Sequence, residues 1–433
     1  MQNLHITSIH GREILDSRGN PTLEARVTLS DGTTASAAVP SGASTGAFEA
    51  KEKRDGDPAR YSGKGVLQAA ASLESEFLPA LQTIDPLDQP AIDQAICTLD
   101  GTADKSRLGS NATLAVSAAV ARTVAHAQGK ALWQYLGEIY GVKSPHILPV
   151  PMMNILNGGA HATNNLDVQE FMILPVGAPS FAEAVRWGSE IHHALAALLK
   201  REGLSAGVGD EGGFAPDLSG TEAALQALMQ AISLAGYRPG EDVILGMDAA
   251  ASEWKSDAVG VYVQPKSGKR YTAAQLTEYW QTLEQNYPLL SLEDGLDEED
   301  WTGWHHLMST LGNDLQLVGD DLFVTHTTRL EKGIQDRCAN AILIKPNQVG
   351  TLTETAQAVQ MAQKAGFGVI LSHRSGETAD PLIADLAVAL NAGQIKTGAP
   401  CRSERCAKYN RLMEIEAALG ERAEYPGRSA FPL

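Results

Sequence analysis

The stretch AILIKPNQVG at residues 341–350 decides the fold of this 433-residue chain. Its four leading apolar residues predict a strand that is buried on both faces, as in a parallel sheet. Pro346 excludes a helix through this point and favours an extended backbone at Lys345. The pattern therefore predicts a lysine at the carboxyl end of a buried strand, where α/β barrels keep their active sites.

Two interpretations of Lys345 follow from this position. Burial would lower the pKa of its ammonium group and make the amine usable as a base. Alternatively, the side chain extends past the strand end and keeps its charge in water, as most lysines do. The stretch by itself favours the second interpretation, whereas the remainder of the chain favours the first.

Composition restricts the class of protein. Lysine and arginine number 34 against 52 aspartate and glutamate residues, which gives a net charge of −18. Such an acidic chain is expected to bind neither nucleic acid nor anionic membranes directly. The chain has four cysteines and no CxxC pair, and it lacks the apolar core of a signal peptide, which predicts a cytoplasmic protein. No apolar run reaches the roughly 18 residues needed to span a membrane, so membrane insertion is not expected.

The first third of the chain predicts a small α+β domain over residues 1–140, because strand patterns come first and helical patterns follow. The strands are predicted at 6–15, 22–29 and 34–39, and the helices at 67–78, 88–99 and 111–140. Prolines 145, 149 and 151 mark the boundary to a second domain over 146–433.

Strand and helix patterns alternate in the second domain. A capping box at Ser180 and Glu183 begins a helix that runs to about Lys200. Further helices are predicted at 221–235, 273–286, 353–365, 381–391 and 403–419, and apolar runs at 243–247, 289–292, 315–318, 341–344, 369–371 and 394–395. A doubly wound sheet would also fit, but the absence of a GxGxxG loop favours a (β/α)8 barrel.

Each apolar run ends on a polar residue. In chain order these are Asp248, Glu293, Asp320, Lys345, His373 and Lys396, at intervals of 23 to 45 residues. Such intervals are mostly one βα unit each, so the side chains would share one cup. Three neighbouring carboxylates need a cation, and this all-oxygen set suits Mg²⁺; three unrelated loop acids are the alternative.

Basic and glycine-rich segments add candidates around the same cup. Lys345 and Lys396 would lower each other's pKa, so that a neutral lysine could remove a weakly acidic carbon-bound proton. Arg374 with Ser375 could hold a phosphate or a carboxylate. Glu211, between glycines, is either an acid–base residue or an ordinary turn carboxylate. Glycine-rich loops at 41–46, 157–161 and 209–213 could act as lids that exclude water.

The longest motifs of the chain resemble those of the enolase family, the phosphopyruvate hydratases of glycolysis, and the resemblance covers essentially the whole length. They are VPSGASTG at 39–46, QEFMI at 169–173, GDEGG at 209–213, ILIKPNQVGTLTET at 342–355 and SHRSGET at 372–378. The resemblance implies a small N-terminal α+β domain packed against a modified barrel whose second strand is antiparallel.

The resemblance also implies the reaction, which is the reversible dehydration of 2-phospho-D-glycerate to phosphoenolpyruvate by a carbon–oxygen lyase with two Mg²⁺ per active site. Lys345 would remove the C2 proton, and Glu211 would protonate the departing C3 hydroxyl. Lys396 and the metals would stabilise the enolate, an aci-carboxylate. The use of a lysine with magnesium ions is a known feature of this superfamily.

The remaining site residues receive roles from the same resemblance. Asp248, Glu293 and Asp320 would hold the first Mg²⁺, and Ser41 would join substrate oxygens around the second. Arg374 and Ser375 would bind the phosphate. The site would be lined by His161, Gln169, Glu170 and His373.

Small departures from the family pattern and two rival functions remain. His326 stands where asparagine is usual and could retune the surroundings of Asp320, while Lys53 and Gly295 replace a usual leucine and proline. The rivals are a related lyase or racemase acting on a non-phosphorylated acid, and a non-catalytic scaffold. Arg374 argues against the first, and the retained catalytic residues argue against the second. The resemblance further implies a homodimer or octamer, contact with an RNA-degradation assembly, and a cell-surface location reached without a signal peptide.

Overall fold

The computed structural model describes residues 4–42, 46–258 and 260–433. A three-stranded antiparallel sheet with its helices precedes a closed eight-stranded barrel that is surrounded by helices. The predicted fold class, a modified barrel with a smaller N-terminal α+β domain, is therefore confirmed.

The N-terminal part begins with the predicted sheet. Its elements are β1 (Ile6–Leu15), β2 (Pro21–Leu29), β3 (Thr34–Ala38), α1 (Leu67–Ser72), α2 (Leu78–Leu81), α3 (Gln89–Asp100), α4 (Ser110–Ala127) and α5 (Leu132–Ile139). The prediction of one continuous helix over residues 111–140 was wrong, because Gly129 adopts a φ of +66° between α4 and α5. A π-helical turn at Leu73–Phe77 joins α1 to α2.

The barrel strands lie where the apolar runs predict them, with two additions. They are β4 (Val150–Asn157), β5 (Glu170–Leu174), β6 (Ile244–Asp248), β9 (Leu289–Glu293), β10 (Gln316–Gly319), β11 (Ala341–Ile344), β12 (Gly368–Ser372) and β13 (Gly393–Lys396), while β7 (Val261–Val263) and β8 (Arg270–Thr272) form a hairpin outside the barrel. β5 is antiparallel to both β4 and β6, and the other pairs are parallel. The antiparallel second strand is thus confirmed.

Eight longer helices follow the strands of the barrel. They are α6 (Phe181–Arg201), α7 (Thr221–Leu234), α8 (Ala273–Asn286), α9 (Trp301–Leu311), α10 (Thr327–Gln335), α11 (Leu352–Lys364), α12 (Leu382–Ala389) and α13 (Ser403–Leu419). The Ser180 hydroxyl accepts a hydrogen bond from the Glu183 N–H at the start of α6, as predicted for the cap.

Among the described residues, six strands and α-helices of the barrel domain escaped prediction from sequence: the barrel strands β4 and β5, the hairpin strands β7 and β8, and the helices α9 and α10. β4 begins inside the proline-rich segment that marked the boundary, since Pro151 is tolerated near the start of a strand. β5 carries most of the family motif at residues 169–173, but spacing did not predict a strand there. α9 and α10 are short and contain glycine, which weakens their helical signal; Asp300 and His326 cap them.

Alternation along β11 explains the direction of Lys345. Ala341 and Leu343 face the barrel interior, where they belong to a buried cluster with Phe431 near the end of the chain. Ile342 and Ile344 lie on the opposite face, in the large core between strands and helices. Successive side chains alternate along a strand, so Lys345 points into the barrel mouth.

The N-terminal part is held on the barrel by buried polar contacts. The Arg122 guanidinium makes a two-bonded ion pair with Asp380, both at 2.7 Å. The Asp93 carboxylate accepts hydrogen bonds from the Thr353 N–H and hydroxyl, at 2.9 and 2.6 Å. These contacts place residues of the first domain beside the carboxyl ends of the barrel strands.

Candidate active site

Strand register brings the predicted acids to one end of the barrel. Asp248 and Glu293 are direct partners in the ladder between β6 and β9, and Glu293 pairs with Val318 on β10. Asp320 follows two residues later. All three carboxylates are buried, with Glu293 fully so. The sequence therefore located the three strand ends correctly.

The three acids nonetheless contact two different lysines. Lys396 Nζ lies 2.9 Å from both Glu293 oxygens and 3.1 Å from Asp248 Oδ2. Lys345 Nζ instead contacts Asp320. Among the described residues, the acid and histidine groups whose ligand atoms lie within 4.8 Å of one another are Asp294–Asp320–Asp321 and His161–Glu170–Glu211. The predicted ligand set is not one of these two groups.

The expected lowering of the lysine pKa values was wrong for this arrangement. Burial does oppose the charged form of Lys345, but the adjacent Asp320 carboxylate outweighs it and raises the pKa. Burial likewise opposes the charge on Lys396, whose pKa is raised well above its usual value by Asp248, Glu170 and Glu293. Spacing along the chain predicted both lysines at one end of the barrel but not their contacts with carboxylates.

Glu211 and Glu170 form a carboxyl pair beside His161. His161 Nδ1 lies 3.7 Å from Glu170 Oε1 and 3.8 Å from Glu211 Oε1. Burial and the neighbouring charge of Glu211 raise the pKa of Glu170 well above its usual value. Burial also opposes ionisation of Glu211, yet the surrounding His373, His161 and Arg405 hold its pKa well below the usual value. The two pKa shifts have opposite directions, so a proton held by this pair resides on Glu170 rather than on Glu211.

His373 lies on the far side of Glu211, with its Nε2 3.4 Å from Glu211 Oε2. The same oxygen accepts a hydrogen bond from Asn154 Nδ2 at 2.9 Å. Burial, with the Arg405 charge adding to it, lowers the pKa of His373 to about 4. The imidazole is therefore neutral at physiological pH.

Arg374 is buried in the pocket at the carboxyl ends of the barrel strands, here called the cup, which is lined by Asp248, Asp320, Lys345 and Lys396 among others. Its guanidinium already contacts a carboxylate. Its Nη1 donates to Glu49 Oε2 at 2.8 Å and to Asn347 Oδ1 at 3.2 Å, and its Nη2 donates to Glu49 Oε1 at 3.2 Å. Ser375 follows in the same turn and also lines the cup. Glu49 comes from the N-terminal domain, so both domains contribute to the site.

Two further predicted residues differ in how closely they approach the acids. Gln169 Nε2 donates to Asp248 Oδ2 at 3.3 Å, inside the cup. Ser41 is buried, but its hydroxyl donates to Glu52 at 3.1 Å and accepts from Arg54 at 2.8 Å. Its role as a metal ligand stays a prediction. Residues 43–45 of the predicted lid loop lie outside the described residues.

The balance of charge indicates whether the cup fits divalent cations. Among the described residues its walls carry eight carboxyl groups but three lysine or arginine side chains. Burial and neighbouring acids raise the pKa of Asp321 to about 8, and those of Glu293 and Asp294 well above their usual values. A site so short of positive charge, lined by hard oxygen donors, fits Mg²⁺.

Several functional residues were not found from the sequence. Asp294 accepts hydrogen bonds from the N–H groups of Asp320 and Asp321, at 3.0 and 2.9 Å, and so shapes that loop. Its position directly after Glu293 was the available signal. Glu49 and Arg405 gave no such signal, since their partners lie far away in the chain.

His326 caps α10, where its Nδ1 accepts a hydrogen bond from the Thr328 N–H. The Asp320 carboxylate instead contacts Lys345 and Gln348.

Comparison with known families gives two matches that together span nearly the whole chain. Residues 6–136 match the family model described as the enolase N-terminal domain. Residues 145–432 match the model described as the enolase C-terminal TIM barrel domain. In the part of the chain that the structure describes, no helix has the length and apolar character required to span a bilayer.

Proposed function

Because the chain belongs to the enolase family, a family of lyase-type enzymes, we propose that it catalyses the reversible dehydration of 2-phospho-D-glycerate to phosphoenolpyruvate. One observation carries the proposal. A single cup combines a strand-end lysine, a carboxyl pair whose pKa values are shifted in opposite directions, and a buried arginine beside a serine. These are the base, the acid and the anion-binding group that dehydration of a phosphorylated hydroxy acid requires.

Lys345 is the proposed base for the C2 proton. Its amine must lose a proton first, and the present partner Asp320 opposes that loss. Divalent cations, Mg²⁺ by the donor set, would be held by Asp248, Glu293 and Asp320 and would neutralise charge developing on the substrate carboxylate. If Asp320 served as a metal ligand, it would attract the ammonium of Lys345 less. Burial and Arg374, which both oppose the charged form, would then favour the neutral amine.

The carboxyl pair is the proposed acid for the C3 hydroxyl. A proton shared by Glu170 and Glu211 would be available to this hydroxyl, and His161 lies within 4 Å of both carboxyl groups. Transfer of that proton to the leaving oxygen turns hydroxide, a poor leaving group, into water. Lys396, already placed among carboxylates, is proposed to stabilise the negative charge that accumulates on the substrate between the two proton transfers.

Arg374 and Ser375 are the proposed phosphate site. The guanidinium has a fork geometry that suits phosphate oxygens, and Glu49 now occupies one edge of it. Glu49 holds the arginine in a fixed orientation within the cup. Its negative charge also offsets part of the attraction for a phosphate dianion, so affinity for the phosphate would be moderate.

The other expectations stand as proposals beside the reaction. We take residues 1–140 and 146–433 as the two domains, and a homodimer or octamer in the cytoplasm as the working form. Contact with an RNA-degradation assembly and a location at the cell surface follow from the family resemblance only.

The test of the proposed function is the ultraviolet appearance of phosphoenolpyruvate from 2-phosphoglycerate, with Mg²⁺ and then with EDTA. Rapid formation that stops with EDTA is the expected result. No product from folded, magnesium-loaded protein would refute the proposal. Turnover of hydroxy acids that lack phosphate would then favour the related lyase or racemase.

A further inference from the structure

Among the described residues, Arg405 on α13 has no hydrogen bond or ion pair with the proposed metal ligands Asp248, Glu293 and Asp320, yet it is fully buried beside the cup. Its Nη1 lies 2.6 Å from both His373 Nδ1 and the Arg374 carbonyl oxygen. Its Nη2 donates to the carbonyl oxygens of Ser375 at 2.6 Å and Asp210 at 3.1 Å. One guanidinium therefore joins the turn after β12 to the loop that carries Glu211.

The contact with His373 fixes the position of a proton. A guanidinium can only donate hydrogen bonds, so Nδ1 of His373 must be the acceptor. A neutral imidazole that accepts at Nδ1 carries its proton on Nε2, the nitrogen 3.4 Å from Glu211 Oε2. The other tautomer would direct an imidazole lone pair at a carboxylate and an N–H at a cation.

Glu211 Oε2 is consequently approached by donors from two sides, the Nε2–H of His373 and the amide of Asn154. Both donors stabilise and orient the ionised carboxylate, leaving Oε1 on the side of His161 and Glu170. The Asp210 carbonyl, one residue before Glu211, is held by the same arginine. The tautomer of His373 and the orientation of Glu211 thus share one cause.

We propose that Arg405 is a positioning residue, which holds His373 as the Nε2–H tautomer and thereby orients Glu211 toward the substrate. The part that concerns substrate rests on the proposed function, whereas the tautomer does not. Replacing Arg405 by glutamine removes the obligatory donor, so that both tautomers become available and Glu211 loses its fixed orientation.

The first experiment measures the tautomer directly in the full-length protein. Long-range ¹H–¹⁵N correlation of labelled histidines distinguishes Nε2–H from Nδ1–H, and His373→Asn assigns the signal. The expected result is Nε2–H alone in the wild type and a mixture in Arg405→Gln. A wild-type signal from the Nδ1–H or the doubly protonated ring overturns the proposal, and this result requires no variant of Arg405 to fold.

The second experiment separates positioning from loss of fold. Arg405→Gln is expected to reduce dehydration of 2-phosphoglycerate about 100-fold, as a small misplacement of a reacting group does. Exchange of the C2 proton with solvent deuterium, which depends on Lys345, should fall less than tenfold. Equal loss of both rates overturns the role through Glu211. Arg405→Lys, which keeps a charged donor, should recover part of the dehydration rate.

Arg411 provides the matched control, because it lies on the same helix and pairs with Asp385 at 2.7 Å, away from the cup. Arg411→Gln should leave both the tautomer and the ratio of the two rates unchanged; a change as large as that of Arg405→Gln overturns the proposal. The two proposals can fail separately. If the wild type does not act on 2-phosphoglycerate but carries Nε2–H, and Arg405→Gln shows the mixture, the proposed reaction is refuted and the positioning of His373 is supported. If the wild type is active but carries Nδ1–H, the proposed reaction is supported and the positioning of His373 is refuted.

Discussion

Replacing Lys396 by methionine tests the charge balance of the cup. The substitution keeps most of the side-chain volume and removes the ammonium group. Lys396 Nζ lies 2.9 to 3.1 Å from oxygens of Glu293, Asp248 and Glu170. Removing one partner from a buried ion pair leaves uncompensated charge and destabilises a protein by about 3–5 kcal/mol.

The magnitude expected here is near the lower limit, about 3 kcal/mol in EDTA. The pKa values of Glu293 and Glu170 are already raised, mainly by burial, so these groups can take up protons instead of remaining as bare charges. Saturating Mg²⁺ should restore much of the loss, since a ligand at 100 times its Kd stabilises the folded state by about 2.7 kcal/mol. The variant should gain more than the wild type, because no ammonium competes for its carboxylates.

Urea unfolding at pH 7.5 measures this difference, followed by the fluorescence of the buried Trp254, Trp280 and Trp304. The folded-state pKa of Lys396 is raised above that of the unfolded chain. Its contribution is therefore fully present at this pH and is lost only as the pH rises through the higher value. Protein concentration is held constant, because association would add to the apparent stability.

Lys408→Met is the matched control. Lys408 is equally buried and pairs with Glu377 at 2.7 Å, outside the acidic cup. Its loss should destabilise the protein by a similar amount, about 3 kcal/mol, with or without Mg²⁺. The reasoning would be refuted if Lys396→Met lost under about 1 kcal/mol in EDTA, or if Mg²⁺ restored both variants equally.

Three further predictions concern the base, the acid and a buried carboxyl group. Lys345→Ala should abolish exchange of the C2 proton with deuterium; exchange at the wild-type rate, followed by NMR, would exclude Lys345 as the base. Glu211→Gln should reduce dehydration more than exchange, and equal reductions measured on one preparation would count against the Glu170–Glu211 pair as the acid. Asp93 has a pKa raised by burial to about 6, against 3.8 for an unfolded aspartate, so its ionisation opposes folding increasingly as the pH rises from about 4 to about 6. The free energy of unfolding of Asp93→Asn, measured in urea, should therefore rise relative to that of the wild type by up to about 3 kcal/mol over this pH range. A difference between the two proteins that does not depend on pH would contradict the raised pKa of Asp93.

The positions of the strand-end residues could be predicted because they depend on local pattern. Four apolar residues before Lys345 require burial on both faces, and the period of a strand then directs the next side chain into the barrel. The same reasoning placed Asp248 and Glu293. The antiparallel β5 did not follow from spacing and came only from family resemblance.

The partners of these residues could not be predicted because they come from remote parts of the chain. Glu49 and Arg374 are 325 residues apart, and Arg405 reaches His373 from a helix that follows another strand. The predicted lowering of the Lys345 pKa was wrong for the same reason. Burial was evident from the sequence, but the contact with Asp320 depends on the three-dimensional arrangement of two strand ends.

Asp320 connects the proposed metal site to the proposed base. Its carboxylate serves as the partner of Lys345; Asp320 is buried and the Lys345 side chain is mostly covered. An ammonium ion and a divalent cation compete for the same oxygens, so the protonation state of Lys345 depends on which of them Asp320 contacts. A base that is activated only when its carboxylate partner becomes a ligand would remain protonated until the cup is ready for substrate. In this proposal, the excess of acids around two lysines would allow one site to be stable with both lysines charged and reactive with one of them neutral.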